Sequence, residues 1–537
     1  MPNDNARKLK GVDHMKNLTV SQLLEEKFKK YPQKEVMFDR TTRMSYEQLW
    51  QNSLALSASL HKLGLGKGDK IAVCLPNWNE FVVIYMAIAH LGAVIVPFNT
   101  RYRQDEVEYI VQNSNAKAAF FTEEFSDVNH LNQFTKAQKK VSQLEHLITV
   151  RFESEGLLSL ERLIEEGKSE PFEPVHLDPL EDLFTILYTS GSTGAPKGAM
   201  LTQSNVVQTA IKSAEGMNCT EDDVFLVAVP VFHVFGMVPS ILTTIAIGAR
   251  MVLMDHYKAQ EALKLQEAER ITVKHGVPTM FILELNQDNF KSFDLSSLRT
   301  GIIAAAPCPE EIVRRIRHEM GCDIVVSYGA SETSPTLTMT KFDDTDNLRA
   351  ETVGTALPGA EVKIVDEYRE EVPTGEVGEI ACRSYGVMKG YYNMPEKTQA
   401  ALDHDGWFYT GDLGTLDEYG YLRIVGRKKE MIIRGGYNIY PREVEEVFYK
   451  HPDVMEVAIV GLPDTVLGEV SCACVKLKPS ANLNETELQS YIKERVADYK
   501  VPDKILFVDE LPMTASGKIK KVALQEQLKE NMKTELR

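Results

Sequence analysis

The chain has 537 residues, a formal net charge of −17 at pH 7, and 26% charged against 43% apolar side chains. This length and composition indicate a soluble globular protein with two or more domains and a large core. The negative charge argues against a nucleic-acid-binding surface, so anionic substrates would have to be held by local basic groups that act against the overall field.

The seven cysteines are scattered along the chain, without a C-x-x-C pair or a spacing typical of zinc or iron–sulfur sites. Such a set predicts reduced thiols in a cytoplasmic protein. The first residues have no apolar core, so no secretory signal is expected, and Met1 and Met15 are both candidate start residues. The longest apolar run, residues 81–98, contains Gly92 and Pro97 and predicts a buried helix followed by a strand instead of a membrane span.

Apolar periodicity predicts an alternation of helices and strands over about the first 330 residues. Residues 19–66 predict a helix, a strand and a long helix, which are followed by a strand over 68–77, a helix over 78–91, a strand over 93–97 and a helix over 103–113. A strand over 183–187 leads into a glycine-rich loop. After the loop come helices over 204–216, 238–247 and 258–269, which alternate with strands over 224–229, 250–254 and 271–275. This order predicts two stacked α/β layers, each built on a largely parallel sheet.

The pattern changes after residue 350. Strands over 361–366, 378–383 and 421–426, separated by turns rich in glycine and proline, predict a small antiparallel sheet or barrel. A helix from Pro441, strands over 455–461, 470–477 and 504–508, and a helix over 485–498 predict a compact α+β domain. The predicted boundary lies in the charged segment 426–430, which gives a first domain of residues 1–428 and a second of residues 429–537.

The segment 188–200, YTSGSTGAPKGAM, combines glycines, hydroxyl groups and one lysine in a loop that follows a predicted strand. Glycines let a backbone approach a ligand, successive N–H groups form an anion-binding nest, and Lys197 adds a point charge. The segment therefore predicts a polyphosphate site, although a flexible surface loop is the alternative. It is not a Walker A loop, because Pro196 and Gly198 flank the lysine. The phosphate-binding residues would be Thr189, Ser190, Gly191, Ser192, Thr193, Gly194 and Lys197.

This loop resembles the phosphate loop of the acyl-adenylating superfamily, which includes acyl-CoA synthetases, the adenylation domains of peptide synthetases and luciferases. Further segments in the expected order extend the resemblance over about residues 20–522. The resemblance implies a large α/β domain followed by a small, mobile α+β domain.

The segment 327–333, SYGASET, follows a predicted strand, and α/β folds place ligands at the carboxyl ends of such strands. Tyr328 offers an aromatic face to a base, and Glu332 offers an oxygen ligand to Mg²⁺, whereas the alternative is a polar turn with a solvated glutamate. In the resemblance, Tyr328 stacks on adenine, Glu332 binds Mg²⁺, and Ser331 stands where threonine is usual. The other nucleotide contacts would be Ser327, Gly329 and, from the segment 304–307, Ala305.

Asp412 follows a glycine in the segment 407–413 and can accept two hydrogen bonds from a ribose diol, although aspartate is also a common turn cap. The resemblance assigns the ribose to Asp412 and Arg427, and assigns the hinge between the domains to Lys429. It assigns Lys518, in the C-terminal segment PMTASGK, to the acyl carboxylate and the α-phosphate during adenylation. A solvated lysine is the alternative.

His233 lies between aromatic residues in the segment 230–237, PVFHVFGM, a setting in which histidine is more often structural than catalytic. In the resemblance, His233 borders the acyl pocket. The acyl-binding residues would be His233, Phe235, Val277, Ala304 and Gly329. The segment 433–443 resembles the loop that lines the thiol channel, where Arg434, Gly435 and Gly436 would contact CoA.

Together the segments predict an AMP-forming ligase with ATP, Mg²⁺ and CoA as its small-molecule partners. Its catalytic residues would be Lys518, Lys197, Glu332 and His233, and no protein nucleophile is needed. The acyl wall, residues 231–237, 277–281 and 302–306, has no aspartate, glutamate, lysine or arginine. A buried α-amine would need a carboxylate partner, so this wall favours an apolar acid over an amino acid. A medium- to long-chain fatty acid comes first, which implies a role in fatty acid metabolism, and an aryl acid second.

Three other functions stay open at this point. The acyl group could pass to a carrier protein in trans, the enzyme could be a luciferase-like oxygenase, or the chain could bind a nucleotide without catalysis. The presence of both Lys197 and Lys518 argues against the last of these. No integral membrane segment is expected, and a homodimer is an open alternative to a monomer.

Overall fold

The computed structural model describes residues 18–189, 196–306, 308–479, 481, 483–513 and 519–535. The chain divides into two compact units. The first comprises Met1–Glu361 and Arg383–Phe408, and the second comprises Val362–Cys382 and Tyr409–Arg537. The small sheet after residue 360 therefore groups with the C-terminal part of the chain, whereas the sequence analysis grouped it with the first domain. The domain boundary after residue 428 stays a prediction.

Within the described residues, the first unit contains two large sheets. One has nine strands, in the order Thr355–Ala356, Thr338–Met339, Asp323–Tyr328, Thr300–Ile303, Val273–Lys274, Val224–Val227, Arg250–Leu253, Glu35–Phe38 and Arg43–Ser45. The other has eight strands, in the order Gly390–Tyr391, Lys197–Thr202, Leu183–Thr189, Val94–Pro97, Lys70–Cys74, Ala116–Phe121, His146–Thr149 and Leu158–Ser159. Both sheets are parallel in their centres and antiparallel at one or both edges. The two predicted α/β layers are thus confirmed.

The helices of the first unit alternate with these strands. They are Val20–Lys30, Tyr46–Lys62, Asn79–Leu91, Gln104–Ser114, His130–Lys140, Leu160–Gly167, Gln203–Gly216, Thr243–Ile247, Ala259–Ala268, Pro278–Leu285, Glu310–Glu319, Asp346–Glu351 and Pro395–Ala401. A π-helical segment spans Gly236–Leu242, single 3₁₀ turns span Phe290–Ser292 and Ser331–Thr333, and Glu124–Phe125 pairs with Val128–Asn129 in a small hairpin. In the part of the chain that the structure describes, no helix is long and apolar enough to cross a membrane.

The helix Asn79–Leu91 lies within one residue of its predicted range. All of its residues except Glu80 are buried, which explains why its sequence is apolar on every face instead of amphipathic. The helix ends at Gly92, whose left-handed φ of 69° is the usual C-terminal cap conformation. The long apolar run is therefore a core helix followed by the strand Val94–Pro97, as the sequence predicts.

The second unit contains two sheets within its described residues. A four-stranded sheet, largely in this unit, has the order Glu361–Val365, Gly378–Arg383, Phe408–Leu416 and Leu422–Arg427. A five-stranded sheet has the order Tyr437–Ile439, Ile432–Arg434, Gly468–Leu477 and Val454–Asp464, with Lys504–Phe507 parallel to Gly468–Leu477. The helices are Pro441–Tyr449, Glu485–Lys493 and Lys521–Glu535, and 3₁₀ turns span Lys428–Glu430 and Asp498–Lys500. These elements confirm the small α+β domain.

Several elements differ from the sequence analysis. The strand Lys197–Thr202 was not predicted, because its short pattern merges with the glycine-rich loop. The predicted helix over 238–247 begins as the π-helical segment Gly236–Leu242, in which Pro239 lacks the N–H group that a regular α-helical turn would use. The predicted helix over 485–498 ends at Lys493, and a separate 3₁₀ turn follows at Asp498–Lys500.

Two buried histidines, His90 and His275, connect elements of the first unit through hydrogen bonds at both ring nitrogens. His90 Nδ1 lies 2.7 Å from Ser21 Oγ, and His90 Nε2 lies 2.9 Å from Ser53 Oγ. His275 Nδ1 accepts a hydrogen bond of 3.0 Å from the Ile302 N–H, so the ring proton is on Nε2, 3.0 Å from the Pro239 carbonyl oxygen. Burial lowers the pKa of His90 to about 3 and that of His275 to about 4, so both rings are neutral at pH 7.

We expect this neutrality to make the first unit sensitive to acid. Below the ordinary histidine pKa of 6.5, the unfolded chain binds protons that the folded chain does not, so stability falls as the pH decreases from 6.5 toward 4. Each histidine should lower the free energy of unfolding by about 2 kcal/mol between about pH 7.5 and about pH 5.

Urea unfolding followed by tryptophan fluorescence measures this effect in the first unit, since Trp50, Trp78 and Trp407 all lie there. The variant His275→Gln lacks one titrating ring and should lose less stability over the same pH interval than the natural protein. Equal losses in the two proteins would contradict the assignment for His275.

Candidate active site

Two consecutive strands flank the glycine-rich segment and pair as a β-hairpin. Its two strands, Leu183–Thr189 and Lys197–Thr202, are antiparallel, and Thr189 stands directly opposite Lys197. The Thr189 hydroxyl is 3.4 Å from the Lys197 carbonyl oxygen, so the two ends of the loop are held together. The predicted phosphate contacts Ser190, Gly191, Ser192, Thr193 and Gly194 lie outside the described residues.

Gly198 is required by packing at the base of this hairpin. A Cβ atom at Gly198 would lie 2.6 Å from Ile186 Cγ2 and 3.1 Å from the Tyr188 ring atom Cζ. The Tyr188 hydroxyl donates a hydrogen bond of 2.6 Å to Asn113 Oδ1, which fixes the position of the ring. The absence of a side chain at Gly198 therefore serves the hairpin that presents Lys197.

Glu332 and Lys197 contact the same side chain, Tyr391. Glu332 lies in the 3₁₀ turn Ser331–Thr333, directly after the parallel strand Asp323–Tyr328. The Tyr391 hydroxyl donates a hydrogen bond of 2.9 Å to Glu332 Oε1, and Lys197 Nζ lies 4.4 Å from the centre of the Tyr391 ring. The structure thus brings the predicted phosphate lysine and the predicted metal ligand to opposite parts of one buried tyrosine.

The other residues predicted at the nucleotide have clear structural roles. The Ser327 hydroxyl donates a hydrogen bond of 2.7 Å to the Thr338 carbonyl oxygen. Gly329 is required because a Cβ atom there would lie 1.4 Å from the Pro335 carbonyl oxygen. Tyr328 and Ser331 flank these positions and are half-buried. Their contacts with a nucleotide stay predictions.

Ala305 adopts an unusual backbone conformation. Its φ of 72° lies in the left-handed region, where residues with a Cβ atom are uncommon. Ala305 is exposed and Ala304 is half-buried, at the carboxyl end of the strand Thr300–Ile303. Such strain is concentrated at ligand sites in proteins, which agrees with the predicted place of this segment beside the adenine.

The predicted acyl wall is built around the π-helical segment. Phe235 is buried and stacks on His275 at 5.7 Å between ring centres, while His233 Nδ1 accepts a hydrogen bond of 3.2 Å from the Phe235 N–H. Gly236 is required there, because a Cβ atom would lie 2.2 Å from the Pro230 carbonyl oxygen. Val277 is half-buried and directly precedes the helix Pro278–Leu285.

In the second unit, the two residues predicted to hold the ribose meet. Asp412 and Arg427 stand directly opposite each other on antiparallel strands, and Arg427 Nε lies 3.3 Å from Asp412 Oδ1. Gly411 has a φ of 73° and donates its N–H to Glu379 Oε1 at 3.0 Å. The same carboxylate forms an ion pair with Lys428 Nζ at 2.9 Å. Glu379 therefore connects the residue before Asp412 to the residue after Arg427.

The segment predicted to contact CoA is a second β-hairpin. Gly435 and Gly436 form its two-residue turn, with φ values of 57° and 87°, and Arg434 stands opposite Tyr437. A turn with positive φ at both central residues is the type that suits a hairpin, so the turn itself requires these glycines.

Arg434 is engaged within the second unit. Its Nε and Nη2 atoms lie 3.1 and 2.6 Å from Asp503 Oδ1, and the Asp503 Oδ2 atom accepts a hydrogen bond of 3.0 Å from the Ser471 N–H. This pair fastens the hairpin to neighbouring strands. A contact between Arg434 and CoA stays a prediction, and it would compete with Asp503.

The predicted hinge residue, Lys429, lies in the 3₁₀ turn Lys428–Glu430, between the strands Leu422–Arg427 and Ile432–Arg434. This turn joins the two sheets of the second unit. The predicted adenylation residue Lys518 lies outside the described residues. Met513 and Ile519, the described residues on either side of this gap, form a short antiparallel bridge.

Glu332 alone does not make a complete Mg²⁺ site. Across the described ranges, no group of three or more His, Cys, Asp or Glu side chains is arranged to hold a metal ion. Mg²⁺ in nucleotide enzymes is commonly held by one or two carboxylates together with substrate phosphates and water. A single carboxylate beside the predicted phosphate-binding lysine fits that mode. These residues do not fit a site in which protein side chains supply all the metal ligands.

Three residues at the site were missed by the sequence analysis. Tyr391 lies 59 residues from Glu332 in sequence, Asp503 lies 69 residues from Arg434, and His275 lies 36 residues from Pro239. The aromatic pair in the segment GYYN and the histidine directly after the strand Val273–Lys274 were visible signals. Neither identifies its partner, because the partner lies in a distant segment that the fold brings close.

We expect Gly198→Ala to disturb the phosphate hairpin. The added methyl group would displace Ile186 or Tyr188 and should destabilise the first unit by about 1–3 kcal/mol, while it weakens the predicted ATP binding several-fold. Gly66→Ala is the matched control, since an added Cβ there has no described neighbour within 4 Å. Urea unfolding and ATP titration check both effects. Equal behaviour of the two variants would contradict the packing argument.

Comparison with known proteins agrees with this geometry. A family model described as AMP-binding enzyme matches residues 24–392, and one described as AMP-binding enzyme C-terminal domain matches residues 443–518. YngI of Bacillus subtilis strain 168, named as a candidate acyl-CoA synthetase, is 39% identical over 95% of this chain and 96% of its own length. The Homo sapiens protein named medium-chain acyl-CoA ligase ACSF2, mitochondrial, is 34% identical over 97% of this chain and 89% of its own length.

A solved structure is similar over nearly the whole chain as well. The anthranilate CoA ligase AuaEII in complex with anthranoyl-AMP superposes with a TM-score of 0.87 and 27% sequence identity, covering 96% of this chain and 98% of that chain. The family model alone spans more than half of the sequence. The chain therefore belongs to the AMP-binding enzyme family of the acyl-adenylating superfamily, as the resemblance in the sequence implies.

Proposed function

We propose that the protein is an AMP-forming acyl-CoA synthetase that converts a carboxylic acid, ATP and CoA into an acyl-CoA, AMP and pyrophosphate. The observation that carries this proposal is the convergence of Lys197 and Glu332 on Tyr391. A lysine and a carboxylate held together at the carboxyl end of parallel strands suit a nucleoside triphosphate with its metal ion. The names of the relatives, a candidate acyl-CoA synthetase and an acyl-CoA ligase, support CoA as the acceptor.

In the first half-reaction, a substrate carboxylate oxygen attacks the α-phosphorus of ATP. A new P–O bond forms, the bond between the α-phosphorus and the bridging oxygen breaks, and pyrophosphate leaves with the electron pair. Lys197 and the loop amides would hold the β- and γ-phosphates, and Lys518 would orient the two reacting anions, which otherwise repel each other. Mg²⁺, held by Glu332 and the phosphates, would supply positive charge that stabilises the transferring group.

In the second half-reaction, the CoA thiol loses its proton and the sulfur attacks the acyl carbon of the acyl-adenylate. The C–S bond forms, the C–O bond to the phosphate breaks, and AMP leaves with the original carboxylate oxygen. Because CoA is the nucleophile, no covalent bond to a serine or cysteine is needed. We assign the CoA contacts to Arg434, Gly435 and Gly436.

The remaining roles follow the sequence analysis. Tyr328 would stack on adenine beside Ala305, and Asp412 and Arg427 would hold the ribose hydroxyl groups. The 3.3 Å contact between Asp412 and Arg427 supports a shared role, since the arginine would orient the carboxylate. We assign the change of domain arrangement between the half-reactions to the turn that contains Lys429, because hinges lie between packed elements.

We propose a medium- to long-chain fatty acid as the acid. The buried, apolar residues Phe235 and Val234, and the absence of aspartate, glutamate, lysine and arginine from the wall, support an apolar chain. The human relative's name, a medium-chain ligase, supports the shorter lengths. An aryl acid is the second candidate, favoured by the likeness to an anthranilate CoA ligase. The free thiols of the seven cysteines support a cytoplasmic location.

A panel of acids tests the function. AMP release should require an acid and CoA together, and its rate should be greatest with fatty acids of medium to long chain. Benzoate and anthranilate represent the aryl acids, and an amino acid serves as the negative control. Turnover that depends on an amino acid, or AMP release without any acid, would contradict the proposal.

The variant Lys518→Ala should separate the half-reactions. Loss of a charge that orients the two anions should lower pyrophosphate release by about 10²-fold, while thioester formation from supplied acyl-AMP changes little. The matched control is Lys520→Ala, because Lys520 is an exposed lysine in the same segment. Equal losses in the two half-reactions, or equal effects of the two variants, would remove Lys518 from the proposed mechanism.

A further inference from the structure

The strand Gly390–Tyr391 joins two parts of the predicted ATP site by its backbone. It is antiparallel to the strand Lys197–Thr202, with Ala199 opposite Tyr391 and Met200 opposite Gly390. The Lys389 N–H donates to the Met200 carbonyl oxygen and the Tyr392 N–H donates to the Gly198 carbonyl oxygen, each at 2.8 Å. On the other side, the Met388 N–H donates to the Glu332 carbonyl oxygen at 2.8 Å.

The Tyr391 side chain makes a second connection between the same two parts. Its ring is 5% exposed, its hydroxyl donates to Glu332 Oε1, and its face lies 4.4 Å from Lys197 Nζ. Its backbone N–H is also engaged, at 2.9 Å from Thr398 Oγ1, so the residue is held at both ends. A tyrosine with these contacts has little freedom to move.

The Tyr391 hydroxyl group is suited to donate a lasting hydrogen bond to a carboxylate. A tyrosine hydroxyl ordinarily titrates at about pH 10, so at neutral pH it carries the proton that it donates to Glu332 Oε1. A neutral donor fixes one carboxylate oxygen and leaves the charge of Glu332 intact. An aromatic face attracts an ammonium ion without neutralising it, so Lys197 keeps its charge for an anion.

We propose that Tyr391 is a positioning residue, which holds the Glu332 carboxylate and the Lys197 ammonium group in the arrangement that Mg²⁺·ATP requires. This inference rests on the proposed function of Glu332 and Lys197. The hydroxyl serves Glu332 and the ring serves Lys197. The two contributions come from different parts of one side chain, so different substitutions separate them.

Tyr391→Phe removes the hydroxyl and keeps the ring. The Mg²⁺ concentration for half-maximal pyrophosphate release should rise about tenfold, because a hydrogen bond to a charged group is lost. The KM for ATP at saturating Mg²⁺ should stay within about twofold of the natural value, since the ring contact with Lys197 remains. Tyr391→Leu removes both contacts and should raise the KM for ATP as well.

The matched control is Tyr392→Phe. Tyr392 is the next residue, its ring contacts Lys70 at 5.4 Å, and its backbone contact with Gly198 does not depend on the side chain. Neither Mg²⁺ dependence nor KM should change in this variant. Urea unfolding of each variant shows whether the fold is retained, so that a loss of activity without a Mg²⁺ shift is recognised as structural and overturns the inference.

Glu332→Gln distinguishes the inference from the proposed function. Together with Tyr391→Phe, it should shift the Mg²⁺ dependence no further than Glu332→Gln alone, because the hydroxyl acts through the carboxylate. A shift in Glu332→Gln with none in Tyr391→Phe would overturn the inference and leave the proposed function standing. An unchanged Mg²⁺ dependence in Glu332→Gln would overturn the proposed role of Glu332, and this inference with it.

Discussion

The pairing of the strand Gly390–Tyr391 with the strand Lys197–Thr202 is the contact on which the candidate site of the first unit depends. It is an edge pairing of the eight-stranded sheet, secured by two backbone hydrogen bonds of 2.8 Å. The same short segment reaches Glu332 through the Met388 N–H. Without this pairing, the phosphate hairpin and the 3₁₀ turn after the strand Asp323–Tyr328 would have no common side chain.

The negative charge of the chain and of its substrates explains why an aromatic residue, Tyr391, is the neighbour of Lys197. The chain carries a net charge of −17, and its reaction partners, ATP, a carboxylate and CoA, are anions as well. Arg427 and Arg434 each pair with a carboxylate, Asp412 and Asp503, which offsets their positive charge. Lys197 contacts an aromatic ring instead, so its charge remains for a phosphate. The local arrangement, more than the overall composition, decides whether an anion binds.

Much of the fold follows from sequence patterns that are local. The helix Asn79–Leu91 is predictable because a long apolar run needs a fully buried helix, and the helix at Pro441–Tyr449 because proline suits a first helical turn. The strand Lys197–Thr202 and the π-helical segment are less predictable. Their hydrogen-bond partners lie in other segments or in a shifted register, which periodicity does not describe.

The candidate site also combines features that neighbouring residues predict with contacts between segments that lie far apart in sequence. The segments at Lys197 and Glu332 are recognisable because their functional side chains lie close together in sequence. The contact between them through Tyr391 depends on a strand pairing far along the chain. Some glycines also have structural roles that the sequence analysis did not identify. Gly198 and Gly329 are required by packing against Ile186 and Pro335, and Gly435 by its turn, which residue type alone does not reveal.

In the proposed reaction, the substrate carboxylate attacks the α-phosphorus of ATP, and AMP leaves with one of the carboxylate oxygens. The most direct measurement uses a fatty acid labelled with oxygen-18 in both carboxylate oxygens, with ATP, CoA and the full-length protein, followed by mass spectrometry of the products. We expect one labelled oxygen in each AMP molecule and none in pyrophosphate. Unlabelled AMP, or label in pyrophosphate or inorganic phosphate, would contradict it.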